Sequence, residues 1–140
     1  MPAFITITDA DITNPAFWAS LNIDNDSTIN AVGISDTIQI TMTGTEIVFT
    51  DTISGTVTTY TNADLAGGSF SNFVQFTGND AGSDVSGSVG LNAQGYTGGT
   101  GDDVLTDSGN LGGGIVGGAG NDTLTGGTGG NNIFGGDGED

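Results

Sequence analysis

The sequence contains no lysine, arginine, histidine or cysteine. Each absence removes a class of chemistry. Without His or Cys there is no Ser-His-Asp or Cys-His arrangement and no zinc site built from nitrogen and sulfur. Without Lys or Arg there is neither a Schiff-base amine nor a clamp for phosphate. Carboxylates are the only strong acid–base groups left, and no stretch outside the glycine-rich region gathers them with aromatic rings as a glycosidase site does. The chain therefore reads as a non-enzyme. It also lacks the basic footprint that nucleic-acid binding requires. No apolar run reaches the length of a membrane-spanning helix. The first residues, MPAFITIT, look like a native start and show no basic segment followed by an apolar one, so no secretory signal is recognisable.

What is present is acid and glycine. Fifteen Asp and two Glu give a formal charge of −17, with no cationic side chain to pair with any of them. Repulsion must be relieved by metal ions, protons or salt. Eighteen of the 27 glycines lie between Gly95 and Asp140. Within that stretch Gly98 to Thr106 reads GGTGDDVLT, Gly117 to Thr125 reads GGAGNDTLT, and Gly135 to Asp140 reads GGDGED, the first six residues of the same nine-residue unit. An apolar residue two places after each Asp, Leu105 and Leu124, separates this pattern from a flexible Gly-rich linker.

The unit G-G-x-G-x-D-x-U-x, with U apolar, resembles the repeat of the RTX, or hemolysin-type, calcium-binding family. The spacing has a physical reading of its own. Glycines accept the positive φ of a tight turn, the turn's carbonyls and the Asp supply oxygens for a hard cation, and two stacked turns complete a calcium shell of six to eight oxygens. The triplet after the Asp is a short strand whose apolar residue points inward, here Leu105, Leu124 and, after a degenerate turn, Ile133. The expected metal-binding residues are Gly98, Gly99, Gly101 and Asp103; Gly117, Gly118, Gly120 and Asp122; and Gly135, Gly136, Gly138 and Asp140.

Asp103, Asp122 and Asp140 are separated by 19 and 18 residues, about one coil of two units, which stacks them on one edge. Asp103 with Asp122 and Asp122 with Asp140 make two sites, and Asp84, another 19 residues back in NDAGSD, offers a weaker third with Asp103. Two calcium ions would bring −17 to −13 and three to −11, so calcium is expected to drive folding as well as to bind. The intervening turns are degenerate: Asp107 to Gly113 is irregular, and Gly126 to Asn131 keeps its glycines but ends in Asn. The opposite edge is expected to be poor in metal.

Residues 1–76 and 77–140 differ in kind. The first part alternates apolar and polar residues, as in Phe4 to Thr8, Ile38 to Met42, Glu46 to Thr50 and Thr56 to Thr61, with turns at Gly44-Thr45 and Ser54-Gly55. An antiparallel meander or sandwich-like layer is expected there, with Phe70 to Phe76 as a further strand, followed by a parallel β-roll over 77–140. The expected class is all-β. One short helix is expected at Asn14 to Leu21, with Asn14 as N-cap and Pro15 in the first turn. Phe17, Trp18 and Leu21 read as core plugs. Asp24-Asn25-Asp26 reads as a solvated turn rather than an additional calcium loop, and Asn25-Asp26-Ser27 and Asn121-Asp122-Thr123 fit the glycan-acceptor pattern.

Three functions fit these features. The first is a secreted structural protein that binds calcium and assembles with copies of itself, head to tail, into an extracellular fibre, surface layer or matrix, with a neighbour or further chain completing the half-unit at Asp140. The second is a calcium-dependent export and folding module of a larger toxin, protease or adhesin. The resemblance implies type I secretion for either. The third is a carbohydrate-binding β-domain with Trp18, Tyr60 and Tyr96 as stacking platforms.

Overall fold

The computed structural model describes residues 4–24, 27–78, 84–87, 95–107 and 113–140. In chain order the strands are β1 (Phe4–Thr8), β2 (Asn22–Ile23), β3 (Ser27–Gly33), β4 (Ile38–Met42), β5 (Glu46–Asp51), β6 (Val57–Thr61), β7 (Gly67–Gly68), β8 (Phe73–Thr77), β9 (Asp84–Gly87), β10 (Gly95–Gly99), β11 (Val104–Asp107), β12 (Gly114–Ala119), β13 (Thr123–Thr125) and β14 (Asn132–Asp137). Two short helices, α1 (Asp9–Ile12) and α2 (Pro15–Trp18), follow β1. The chain is mostly β, as its alternation predicts.

Twelve of the strands form two six-stranded sheets, and β2 and β7 pair in parallel as a separate two-stranded sheet. The first has the order β1-β3-β8-β10-β12-β14, and every neighbouring pair in it is parallel. The second has the order β13-β11-β9-β4-β5-β6. Its β13, β11, β9 and β4 are parallel, and only β4-β5-β6 is an antiparallel meander. The expectation that all of residues 1–76 are antiparallel is corrected here: β1, β3 and β8 belong to the parallel sheet, and the expected boundary at 76 falls inside β8. Period-two alternation fixes which face a residue occupies, but it does not fix strand direction.

Register explains the core. Ile5, Ile29, Phe76, Tyr96, Ile115 and Ile133 lie opposite one another across the first sheet. All but Ile133 are buried. Across the second sheet Leu124, Leu105, Ile40 and Phe49 hold the corresponding inward positions, linked through β9. Residues of both columns belong to a single apolar cluster. Burial of each such side chain contributes about 1.5–3 kcal/mol before ordering costs.

The helical segment plugs one end of this core. Pro15 does sit in the first turn of α2, but Asn14 makes no side-chain cap bond. The helix α1, which the sequence reading missed, is held by Asp11, whose Oδ2 accepts from the Thr8 backbone N–H at 2.9 Å and the Thr8 hydroxyl at 2.7 Å. Trp18 is wholly buried. It stacks on Tyr60 at 4.7 Å, meets Phe17 edge-on at 5.4 Å, and donates from Nε1 to the Asp11 carbonyl at 2.8 Å. Phe17 and Leu21 pack against the cluster, so the expected plugs are core residues. Trp18, Tyr60 and Tyr96 are all withdrawn from the surface, and none of them is available as a stacking platform for a sugar.

Candidate metal centre

The three glycine-rich turns stack on one edge, as their spacing predicts. Gly99, Gly118 and Gly136 are register partners where β10, β12 and β14 end. Val104 faces Thr123 where β11 and β13 begin. Asp103 and Asp122 each immediately precede these strands, so they occupy equivalent places one coil apart.

The turns need glycine because each lies directly on the next. A Cβ on Gly118 would meet the carbonyl of Gly99, and one on Gly120 would meet the carbonyl of Gly101. Gly136 and Gly138 sit in the same way over Gly118 and Gly120. Gly118 at φ 126° and Gly120 at φ 133° also hold a backbone conformation that only glycine adopts without strain. The first glycine of each turn serves another purpose. The Oδ2 atoms of Asp103, Asp122 and Asp140 fold back over Gly98, Gly117 and Gly135, into the space that a side chain would fill.

The carboxylates also join one turn to the next. Asp122 Oδ1 accepts from the Asp103 backbone N–H at 2.9 Å, and Asp140 Oδ1 accepts from the Asp122 N–H at 3.1 Å. A second ladder runs the other way through the preceding position. The Asn121 N–H donates to Asp102 Oδ1 at 2.8 Å, and the Glu139 N–H donates to Asn121 Oδ1 at 3.0 Å. Asp102, Asn121 and Glu139 occupy the fifth, variable place of the unit, which the sequence reading passed over. The signal was available, since that place is polar in all three turns.

Asp103 is 1% exposed and Asp122 4% exposed, whereas Asp140 is open to solvent. Asp122 Oδ2 is buried and, among the described residues, accepts no hydrogen bond. An ionised oxygen in that position is costly unless a cation offsets it. The carbonyl of Gly135, from the next turn, approaches the same space above Gly117, and the carbonyl of Gly117 approaches the space above Gly98 beside Asp103 Oδ2. Oxygens from two turns thus converge in each gap. Among the described residues no three carboxylates gather at one point, because each gap draws its oxygens from backbone carbonyls as well as from Asp. A hard cation accepts either kind.

Asp84 lies beside the same stack of strands. It is the first residue of β9 and pairs with Val104, one place beyond Asp103. Along the backbone the expected rung at Asp84 is therefore offset by one residue from Asp103. Most of the NDAGSD turn, and Asn25 and Asp26 of the other acidic loop, lie outside the described residues. No protein-family model, curated protein or solved structure matches the chain.

Proposed function

We propose that the chain is a calcium-stabilised β-roll of the RTX type, working outside the cell as a non-enzymatic structural element that adds to copies of itself head to tail. One observation carries the metal reading: the buried Asp122 Oδ2 that accepts no hydrogen bond, facing a gap shared with the Gly135 carbonyl. The residues fit calcium by their chemistry. They offer only oxygens, which disfavours the softer metals that seek nitrogen or sulfur. They come from a backbone turn that adapts to a large, variable shell more readily than to the strict octahedron of magnesium. Asp103, Asp122 and Asp140 would hold the ions, and each ion would offset two of the chain's 17 formal negative charges. Folding and binding are coupled in such a chain.

The assembly reading rests on the first sheet. Its outer strands, β1 and β14, point the same way, so the edge of one copy can add to the opposite edge of another and extend a parallel sheet. Phe4, Ile133 and Phe134 are exposed on these strands. Uncovered strand edges with apolar neighbours are templates for addition, and a head-to-tail contact that does not close makes a filament. The test has two parts. Calcium titration by calorimetry should show saturable uptake that Asp122→Asn reduces, and no uptake would sink the metal reading. Electron micrographs in millimolar calcium should show polymers that a chelator disperses, and a monodisperse monomer in both conditions would sink the assembly reading.

A further inference from the structure

The opposite edge of the stack carries its own carboxylate. Asp107, at the end of β11, is only 7% exposed, in a protein with no cationic side chain. Its surroundings explain how that charge is held. Asn131 stands to Gly126 as Asp122 stands to Gly117, five residues on, and its side chain again lies over the first glycine of the turn. With the amide nitrogen toward β11, Asn131 Nδ2 donates to Asp107 Oδ2 at 2.9 Å and its oxygen accepts from the Gly127 N–H at 2.8 Å. The reverse orientation sets oxygen against carboxylate oxygen and nitrogen against N–H. It retains only bonds of 3.3–3.4 Å with Gly113, Gly127 and Gly129. Two short bonds outweigh three long ones. The cavity beside this pair is about 10 Å³, bounded by Gly95, Tyr96, Gly113 and Ile115 among others, which is at the lower limit for a single water.

We propose that Asn131 takes the place of a cation on this edge, and that this one residue decides which edge of the stack binds metal. The amide supplies Asp107 with the donor that a cation would otherwise have to replace. Its neutral head gives the turn no second carboxylate. One edge is thus locked by an internal hydrogen bond, and the other is left to calcium.

The inference rests on the metal reading of the first edge only for that contrast, and the experiment separates the two. Calcium bound per chain is counted by native mass spectrometry in the wild type, Asn131→Asp, Asp107→Asn and Asp122→Asn. Asn131→Asp should bind one more calcium than the wild type. It should unfold at lower denaturant than the wild type in chelator, where two carboxylates now face each other, and recover when calcium is added. Asp107→Asn should leave the wild-type count unchanged. Loss of one calcium in Asp107→Asn would overturn the proposal, because it would show that Asp107 already holds an ion. So would an unchanged count in Asn131→Asp that remains folded by circular dichroism. If Asn131→Asp does not fold even in calcium, an unchanged count in Asp107→Asn supports the proposal and a lost ion overturns it. A wild type that binds no calcium, or binds as much as Asp122→Asn, refutes the first-edge reading while leaving the gain in Asn131→Asp to be scored.

Discussion

Asp122→Asn should change the sign of its effect with calcium. The substitution keeps the shape of the side chain and keeps Oδ1, which accepts from the Asp103 N–H at 2.9 Å. What changes is the other atom, the buried oxygen that accepts no hydrogen bond. In chelator the wild type must bury that charge without a donor, and an amide there removes the charge and brings donors toward the Gly135 carbonyl. Relief of one unsatisfied buried group is about 1–3 kcal/mol, and the mutant should be the more stable protein. In calcium the order reverses. An ion at 100 times its dissociation constant stabilises by about 2.7 kcal/mol per site, and Asp122 borders two gaps, so the wild type gains what the mutant forgoes. For a chain of this length 1 kcal/mol corresponds to about 3 °C in melting temperature. Thermal melts of both proteins, in chelator and in saturating calcium, should therefore cross. A mutant destabilised by the same amount in both conditions would refute the reasoning, because Asp122 would then act only through its hydrogen bond.

Two further substitutions probe the frame. Gly117→Ala places a methyl against Asp122 Oδ2 and the Gly135 carbonyl and should cost about 3 kcal/mol or more. Gly130→Ala, with open space around it, should be neutral or stabilise by about 0.4–1 kcal/mol; equal losses in chemical denaturation would refute the stacking geometry. The Tyr60 phenol donates to the Ile12 carbonyl at 2.9 Å, and burial, followed by the Asp64 carboxylate, pushes its pKa above the usual 10.0. A folded-state pKa raised above the unfolded one means that the stability it contributes is complete below about pH 10 and is lost as pH rises through the folded value. Tyr60→Phe should weaken the protein at neutral pH and flatten that alkaline decline, as measured by urea midpoints across pH; an unchanged decline would assign it to other groups.

The candidate site was the most legible part of the sequence. A repeat states its own register, and Asp103, Asp122 and Asp140 stack where spacings of 19 and 18 residues put them. Asp84 shows what spacing alone leaves open. A step of 19 residues from Asp103 reaches it, while in the strand ladder its partner is Val104. The first half was legible as β but not as parallel, since Ile5, Ile29 and Phe76 show the same alternation whichever way their strands run. Asn131 read as a decayed Asp. Its role depends on Asp107, a residue 24 positions away that only the fold brings beside it.

The Asp ladder also has a property that no single rung possesses. Adjacent strands lie about 4.8 Å apart, so carboxylates stacked one per coil repeat at roughly that distance. Two unit charges in water interact with thermal energy at about 7 Å, and the burial of Asp103 and Asp122 lengthens that reach. A row spaced more closely than this gathers counterions collectively, as a nucleic-acid backbone does. The edge formed by Asp103, Asp122 and Asp140 is in this sense a short polyelectrolyte, with Asp102 and Glu139 beside it raising the density. Sodium or potassium is then drawn to the whole row, and the ionic strength of the surroundings sets how strongly its charges repel one another.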